Sequence, residues 1–185
     1  MSRIIYLILP LLALFSFTSK PKKFPEINYT TNQGAKFSNE DFIGKQTIVI
    51  LFHLGCPPAM GLLKDLETIE KSEDVQIIGI LENSQAQIAA FNSESKNEWS
   101  SIRKSFKLAP VSIPLIGECN DNAIAEEKKE IPVVHCRILA KKIKTSSSPT
   151  LVYVNPEGEI VKVKKGYLDS ETAIEHRMKY LLEFP

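Results

Sequence analysis

The residues best suited to chemistry are three cysteines, Cys56, Cys119 and Cys136, with His53 and Met60 close to the first of them. Cys56 stands in Gly55-Cys56-Pro57-Pro58, directly after an apolar run. Proline fits the first turn of a helix, where its missing N–H costs nothing, and is rejected from the interior. Pro57-Pro58 therefore predicts a helix that starts at Cys56. A thiol there faces unpaired backbone N–H groups and the positive end of the helix dipole, which favour the thiolate. The thiolate is the form that attacks disulfides and peroxides. The plainer alternative is a buried, inert cysteine.

Three is an odd number, so at least one thiol is free or bonded to another molecule. Cys56 and Met60 are four residues apart and share a helix face. A thioether beside a thiolate suits a soft metal, although methionine is also an ordinary core residue. His53 is placed to polarise a substrate or orient the thiolate, or simply ends a strand at the surface. His176 lies among charged residues and reads as a solvated side chain.

The elements that must position Cys56 are legible on both sides of it. Thr47-Ile48-Val49-Ile50-Leu51-Phe52 is a β-branched apolar run of strand length, as a strand buried on both faces requires. Leu62, Leu63, Leu66 and Ile69 then repeat at helical spacing. Val75-Gln76-Ile77-Ile78-Gly79-Ile80-Leu81 reads as a second buried strand, so the order is βαβ with parallel pairing through a right-handed crossover. Before them, Asn39 to Lys45 suggests a short helical turn stopped by Gly44. Asn83-Ser84 is a candidate cap for a helix to about Phe91, and Trp99 to Lys107 reads as another.

Residues 110–145 carry the weakest pattern, with a polar helical stretch near 122–130. Beyond them, Thr150 to Val154 and Glu159 to Val163 are strands joined by the turn Asn155-Pro156-Glu157-Gly158. Asp169-Ser170 is placed to cap a last helix with Ile174, Met178, Leu181 and Leu182 on its apolar face. The whole pattern is βαβ, an αα stretch, then ββα.

Length and charge narrow the function. The 185 residues suit one domain with a full core. A formal net charge of +1, with both signs scattered, provides no basic face for nucleic acid. Arg3, the apolar run Ile4 to Phe17 and the polar Thr18 to Lys23 have the layout of a secretory signal or an N-terminal membrane anchor. The expected organisation is a signal peptide or anchor over 1–19, a linker over 20–25, and one domain over 26–185 with an insertion at about 115–145. Export places the cysteines where disulfides persist.

Taken in order, several short pieces resemble exported thioredoxin-like proteins of the TlpA/ResA type, within the redoxin group that includes peroxiredoxins. They are Phe42-Ile43-Gly44-Lys45, the strand ending at Phe52, Gly55-Cys56-Pro57-Pro58, Ser148-Pro149-Thr150, Asn155 to Ile160, and Gly166-Tyr167. The resemblance spans residues 25–184. It implies an α/β thioredoxin fold, a central mixed sheet flanked by helices, with Cys56 as the catalytic thiol. It also implies that Pro149 is a cis-proline beside that thiol. Pro57, Pro58, Ser148, Pro149 and Thr150 would then shape the groove for a thiol- or disulfide-containing protein substrate, with an external reductant and no cofactor.

The chain departs from that pattern at two positions. Ala59 stands where the family has its second cysteine, and Gly55 where it has an aromatic residue. The second cysteine normally attacks the mixed disulfide and releases the substrate, so Cys56 must find another thiol. Either Cys119 or Cys136 resolves it, or those two bond each other as a staple. A staple would close a loop of about 17 residues and add roughly 3 kcal/mol. Pairing of the two is the reading adopted, which leaves Cys56 free.

Three other functions remain in view: a redox-inactive partner-binding module, a peroxidase and a copper protein. The peroxiredoxin motif has Thr or Ser where this chain has His53. The resemblance to Sco-type copper chaperones would make Cys56, Met60 and His135 a Cu(I) ligand set.

Overall fold

The computed structural model describes residues 21–66, 75–93, 98–105, 113–119, 136–168 and 172–185. The apolar run Ile4 to Phe17, Ile69, the stretch 122–130, His135 and the Asp169-Ser170 pair lie outside the described residues. Among the described residues no helix is long and apolar enough to cross a membrane.

In chain order the strands are β1 (Lys22–Lys23), β2 (Asn28–Thr30), β3 (Lys36–Ser38), β4 (Gln46–Phe52), β5 (Val75–Ser84), β6 (Leu115–Cys119), β7 (Thr150–Val154) and β8 (Glu159–Lys165). The helices are α1 (Pro57–Leu66), α2 (Gln85–Asn92), α3 (Glu98–Ser105), α4 (Ile138–Ile143) and α5 (Ile174–Leu182), with a 3₁₀ turn at Asn39–Phe42. Six described strands form one mixed sheet in the order β1-β8-β7-β4-β5-β6, while β2 and β3 pair separately. β4 runs parallel to β5 and antiparallel to β7, and β5 runs parallel to β6.

The alternation of β4 sorts the core into two layers. Ile48, Ile50 and Phe52 join Leu62, Leu63 and Leu66 of α1, Ile88 and Phe91 of α2, and Leu181 of α5. Val49 and Leu51 join Ile78, Ile80, Val152, Val154, Leu139 of α4 and the N-terminal Phe24, Phe37 and Phe42. Both faces are therefore covered, which is why the strand carries no polar side chain after Thr47. Each fully buried aliphatic side chain contributes roughly 1.5–3 kcal/mol to this packing.

Four local expectations need correction. Lys22–Lys23, read as linker, pair with Ile160 and Glu159 of β8, and Phe24 is buried behind them. Their lysine side chains are solvated, so only the backbone pairing reveals a strand. β5 continues past Leu81 through Glu82, Asn83 and Ser84, all buried. Their polar groups are consumed by specific partners, which pattern reading cannot see. The segment read as an insertion holds β6, an edge strand of the main sheet, and α4. Gly117 interrupts its apolar pattern because a Cβ there would lie 2.6 Å from the Gln85 nitrogen and 2.7 Å from the Ser84 carbonyl carbon. On α5, Ile174 and Leu182 are exposed; Leu181 is buried, and Met178, Tyr180 and Phe184 pack beside it.

Candidate functional site

The carboxyl ends of β4 and β5 and the loop before β7 converge on Cys56. Pro57 opens α1, and the first helical bond runs from the Met60 N–H to the Cys56 carbonyl at 2.9 Å. Cys56 thus sits at the helix N-terminus, where the backbone leaves donors unpaired. The loop that delivers it is held from three sides. The His53 N–H donates to Ser148 Oγ at 3.3 Å, the Leu54 N–H to Asn83 Oδ1 at 2.8 Å, and the Cys56 N–H to the His53 carbonyl at 3.4 Å. Gly55 turns the chain at φ 83°, a left-handed conformation that glycine adopts without the strain a side chain would bring.

The thiol donates to the Ser148 carbonyl at 3.4 Å, and Cys56 is 9% exposed. The Ser148–Pro149 peptide bond is cis, and Pro149 is buried beneath the site. The loop is knitted from below: Thr150 Oγ1 donates to the Ser147 carbonyl at 2.7 Å, and the Thr145 and Thr150 hydroxyls are bonded at 2.8 Å. Thr150 is fully buried, so it supports the groove from behind rather than lining it. Pro57 and Pro58 are exposed beside the thiol, and Ala59 is 1% exposed.

Cys119 and Cys136 are joined by a disulfide with a Cα–Cα distance of 5.2 Å, and Cys56 is a free thiol. The bridge ties the entry to α4 to the end of β6, and the Cys136 N–H donates to the Glu82 carbonyl of β5 at 2.9 Å. Arg137 follows immediately, its Nε 2.9 Å from Glu82 Oε1. The other Glu82 oxygen, Oε2, faces His53 Nδ1 at 3.9 Å, beyond hydrogen-bond reach. Glu82 is 5% exposed, so this buried carboxylate is matched by a cation, as burial demands.

A second carboxylate stands one strand away. Glu118 accepts the Ile138 and Leu139 N–H groups at 2.9 and 3.0 Å, closing the start of α4. Burial pushes its pKa up to about 7; those two bonds and Lys142 pull it down, and Glu82 adds to the rise. At the other end of α1, Asp65 is 3% exposed and holds Arg177 of α5 through bonds of 2.6 and 2.9 Å, with the Tyr167 hydroxyl donating at 2.9 Å.

Of the three residues of the metal expectation, Cys56 and Met60 are among the described residues and His135 is not. Met60 is fully buried within the α1 core layer. Among the described residues no group of three or more His, Cys, Asp or Glu side chains is arranged to hold an ion. His176 is exposed on α5. Sequence reasoning missed Glu82, Asn83 and Arg137. One signal was available: polar residues at the carboxyl end of a buried parallel strand border the crevice where α/β folds place their sites.

A mixed sheet with β4 at its centre, and a helix-capping cysteine facing a cis-proline loop, define a thioredoxin fold. No protein-family model and no curated protein matches the chain. Solved structures do match it along most of its length. A protein assigned as the thiol:disulfide interchange protein DsbE of Chlorobium tepidum superposes with a TM-score of 0.54 at 11% identity, over 89% of this chain and 98% of that one. StoA from Bacillus subtilis gives 0.51 at 18% identity, over 84% and 98%. A thiol-disulfide oxidoreductase from Bacteroides fragilis gives 0.52 at 18%, over 87% and 100%. At such identities the likeness establishes the fold.

Proposed function

We propose that this chain is an exported thioredoxin-like protein of the TlpA/ResA type that exchanges thiols and disulfides through Cys56 alone. The observation that carries the reading is the placement of the one free thiol at the N-terminus of α1, 3.4 Å from the carbonyl that precedes a cis-proline. The apolar run Ile4 to Phe17 and the Cys119–Cys136 disulfide support an oxidising compartment outside the cytoplasm.

The Cys56 thiolate attacks one sulfur of a substrate disulfide. A bond forms between Cys56 Sγ and that sulfur, the substrate S–S bond breaks, and the second sulfur leaves. With Ala59 one turn along the helix and the other two cysteines bonded to each other, release requires an external thiol. That thiol attacks the mixed disulfide and returns Cys56 to its reduced form. Proteins bearing thiols or disulfides are the substrate class.

The test is incubation of the reduced-at-Cys56 protein with oxidised glutathione, followed by peptide mass mapping. One glutathione should appear on the peptide that contains Cys56, dithiothreitol should remove it, and Cys56→Ser should abolish it. Absence of the adduct on folded protein, with reaction only after denaturation, would instead favour a partner-binding module whose thiol is sealed.

A further inference from the structure

Exchange through Cys56, the reading on which this inference rests, needs the sulfur held in line with an incoming disulfide. We infer that Asn83 is the positioning residue of that reaction: its side-chain carbonyl locks the turn that presents Cys56 against Ser148.

The turn is weakly closed by itself. His53, Leu54, Gly55 and Cys56 form it, with Gly55 in the third position at φ 83°. The Cys56 N–H reaches the His53 carbonyl at 3.4 Å, at the long end of the hydrogen-bond range. The N–H of the second residue, Leu54, points out of such a turn, and Leu54 is buried, so that donor needs a partner from elsewhere. Asn83 Oδ1 accepts it at 2.8 Å. This bond is shorter than the turn's own closure and shorter than the 3.3 Å bond from the His53 N–H to Ser148 Oγ.

Asn83 comes from the place where strand pairing gives out. β4 and β5 stay in register from Gln46 and Val75 to Phe52 and Leu81. Beyond that pair the ladder stops, and the register of β5 against β6 shifts between Leu81 and Ser84. Such irregularities re-aim side chains beside functional sites. Here the Asn83 side chain takes over where the ladder ends and bonds the chain leaving β4.

The Asn83 amide has a fixed orientation. It is fully buried, and Nδ2 donates to Gln87 Oε1 at 3.3 Å. The same Gln87 oxygen accepts the Ser84 N–H at 2.9 Å in the capping box of α2. The Asn83 backbone is clamped too, since a Cβ on Gly117 would lie 2.9 Å from its carbonyl oxygen. The turn is therefore anchored to the start of α2. Cys56, two residues after Leu54, inherits that anchorage, and its thiol meets the Ser148 carbonyl.

Two reagents separate positioning from loosening. A peptide disulfide such as oxidised glutathione must seat beside Ser148 and meet the sulfur along its S–S axis, whereas iodoacetamide is small enough to meet the thiol from any open side. A misplacement of about 1 Å costs an aligned reaction up to about a hundredfold. Asn83→Leu keeps the bulk of the side chain and removes the acceptor. In the folded variant, reaction with oxidised glutathione should fall about tenfold or more, while alkylation stays within about twofold or rises. Ser84→Ala weakens the cap of α2 without touching the turn and should leave both rates in place.

A change of both rates by one factor in Asn83→Leu, or of neither, would overturn the inference, because loosening around a buried thiol favours every reagent alike. So would an equal effect of Ser84→Ala, which would assign it to the cap. Should Asn83→Leu fail to fold, Gln87→Met frees the Asn83 amide while keeping its acceptor, and exchange should still fall about threefold or more relative to alkylation. An unchanged ratio of the two rates there would overturn it as well. Failure of wild-type Cys56 to react with oxidised glutathione is a different result, and would overturn the exchange reading together with this one.

Discussion

The thiol of Cys56 reaches the carbonyl oxygen of Ser148 at 3.4 Å, across a chain separation of 92 residues. Together with the His53 N–H bond to Ser148 Oγ, this contact joins the β4–α1 turn to the loop before β7. Cys56 and Ala59 lie in the same buried layer, so the sulfur is held at the edge of the core by this bond.

Position 59 lies one helical turn beyond the thiol, so a sulfur there would face Cys56 at (i, i+3) spacing. Ala59→Cys should therefore acquire turnover in the reduction of insulin disulfides with dithiothreitol, because resolution becomes intramolecular. The measurement is the rate of insulin precipitation against wild type. A folded variant with no gain would show that more than the resolving thiol is missing.

The Cys119–Cys136 bridge closes a separation of 17 residues. Replacing both with serine should lower stability by about 3 kcal/mol, the loop-closure value for a ring of this size. Urea unfolding followed by circular dichroism would measure it. A loss below about 1 kcal/mol would mean that the reduced chain already holds this segment together.

Asp65 is buried with Arg177 and Tyr167 as its partners. Arg177→Met keeps the apolar stem but strands a buried carboxylate, at a cost of about 3–5 kcal/mol. Adding Asp65→Leu should recover most of that loss, since the unpaired charge goes with it. A double variant no better than the single would refute this assignment of the penalty.

Glu118 makes stability depend on pH in a defined direction. Its folded pKa of about 7 lies above the ordinary 4.5, so the folded state binds the extra proton. This contribution is complete below about pH 4.5 and is lost as pH rises through 7, by about 3 kcal/mol. Glu118→Gln should flatten the fall in unfolding free energy between those limits. An unchanged slope would assign it to another group.

Legibility along the chain followed the locality of the forces. β4, α1, β7 and the Asn155 to Gly158 turn were plain because burial on both faces, prolines at a helix start and a turn sequence are written in neighbouring residues. Ser84 was readable as the cap of α2 for the same reason, since its partner Gln87 is three residues away. β1 and β6 were not, because each is an edge strand stabilised by backbone pairing with a distant segment.

The sequence by itself determined that a thiol would begin a helix after a buried strand, and that no second cysteine would stand at position 59. Only the tertiary structure decided what surrounds that thiol. Glu82 and Asn83 read locally as the polar end of a strand, and Arg137 as one basic residue among many. They acquire roles because parallel pairing carries the ends of β4 and β5 to one edge, where Asn83 holds the Leu54 N–H and Glu82 stands between His53 and Arg137. Such contacts join residues 29 to 95 positions apart, a range over which spacing carries no information about distance.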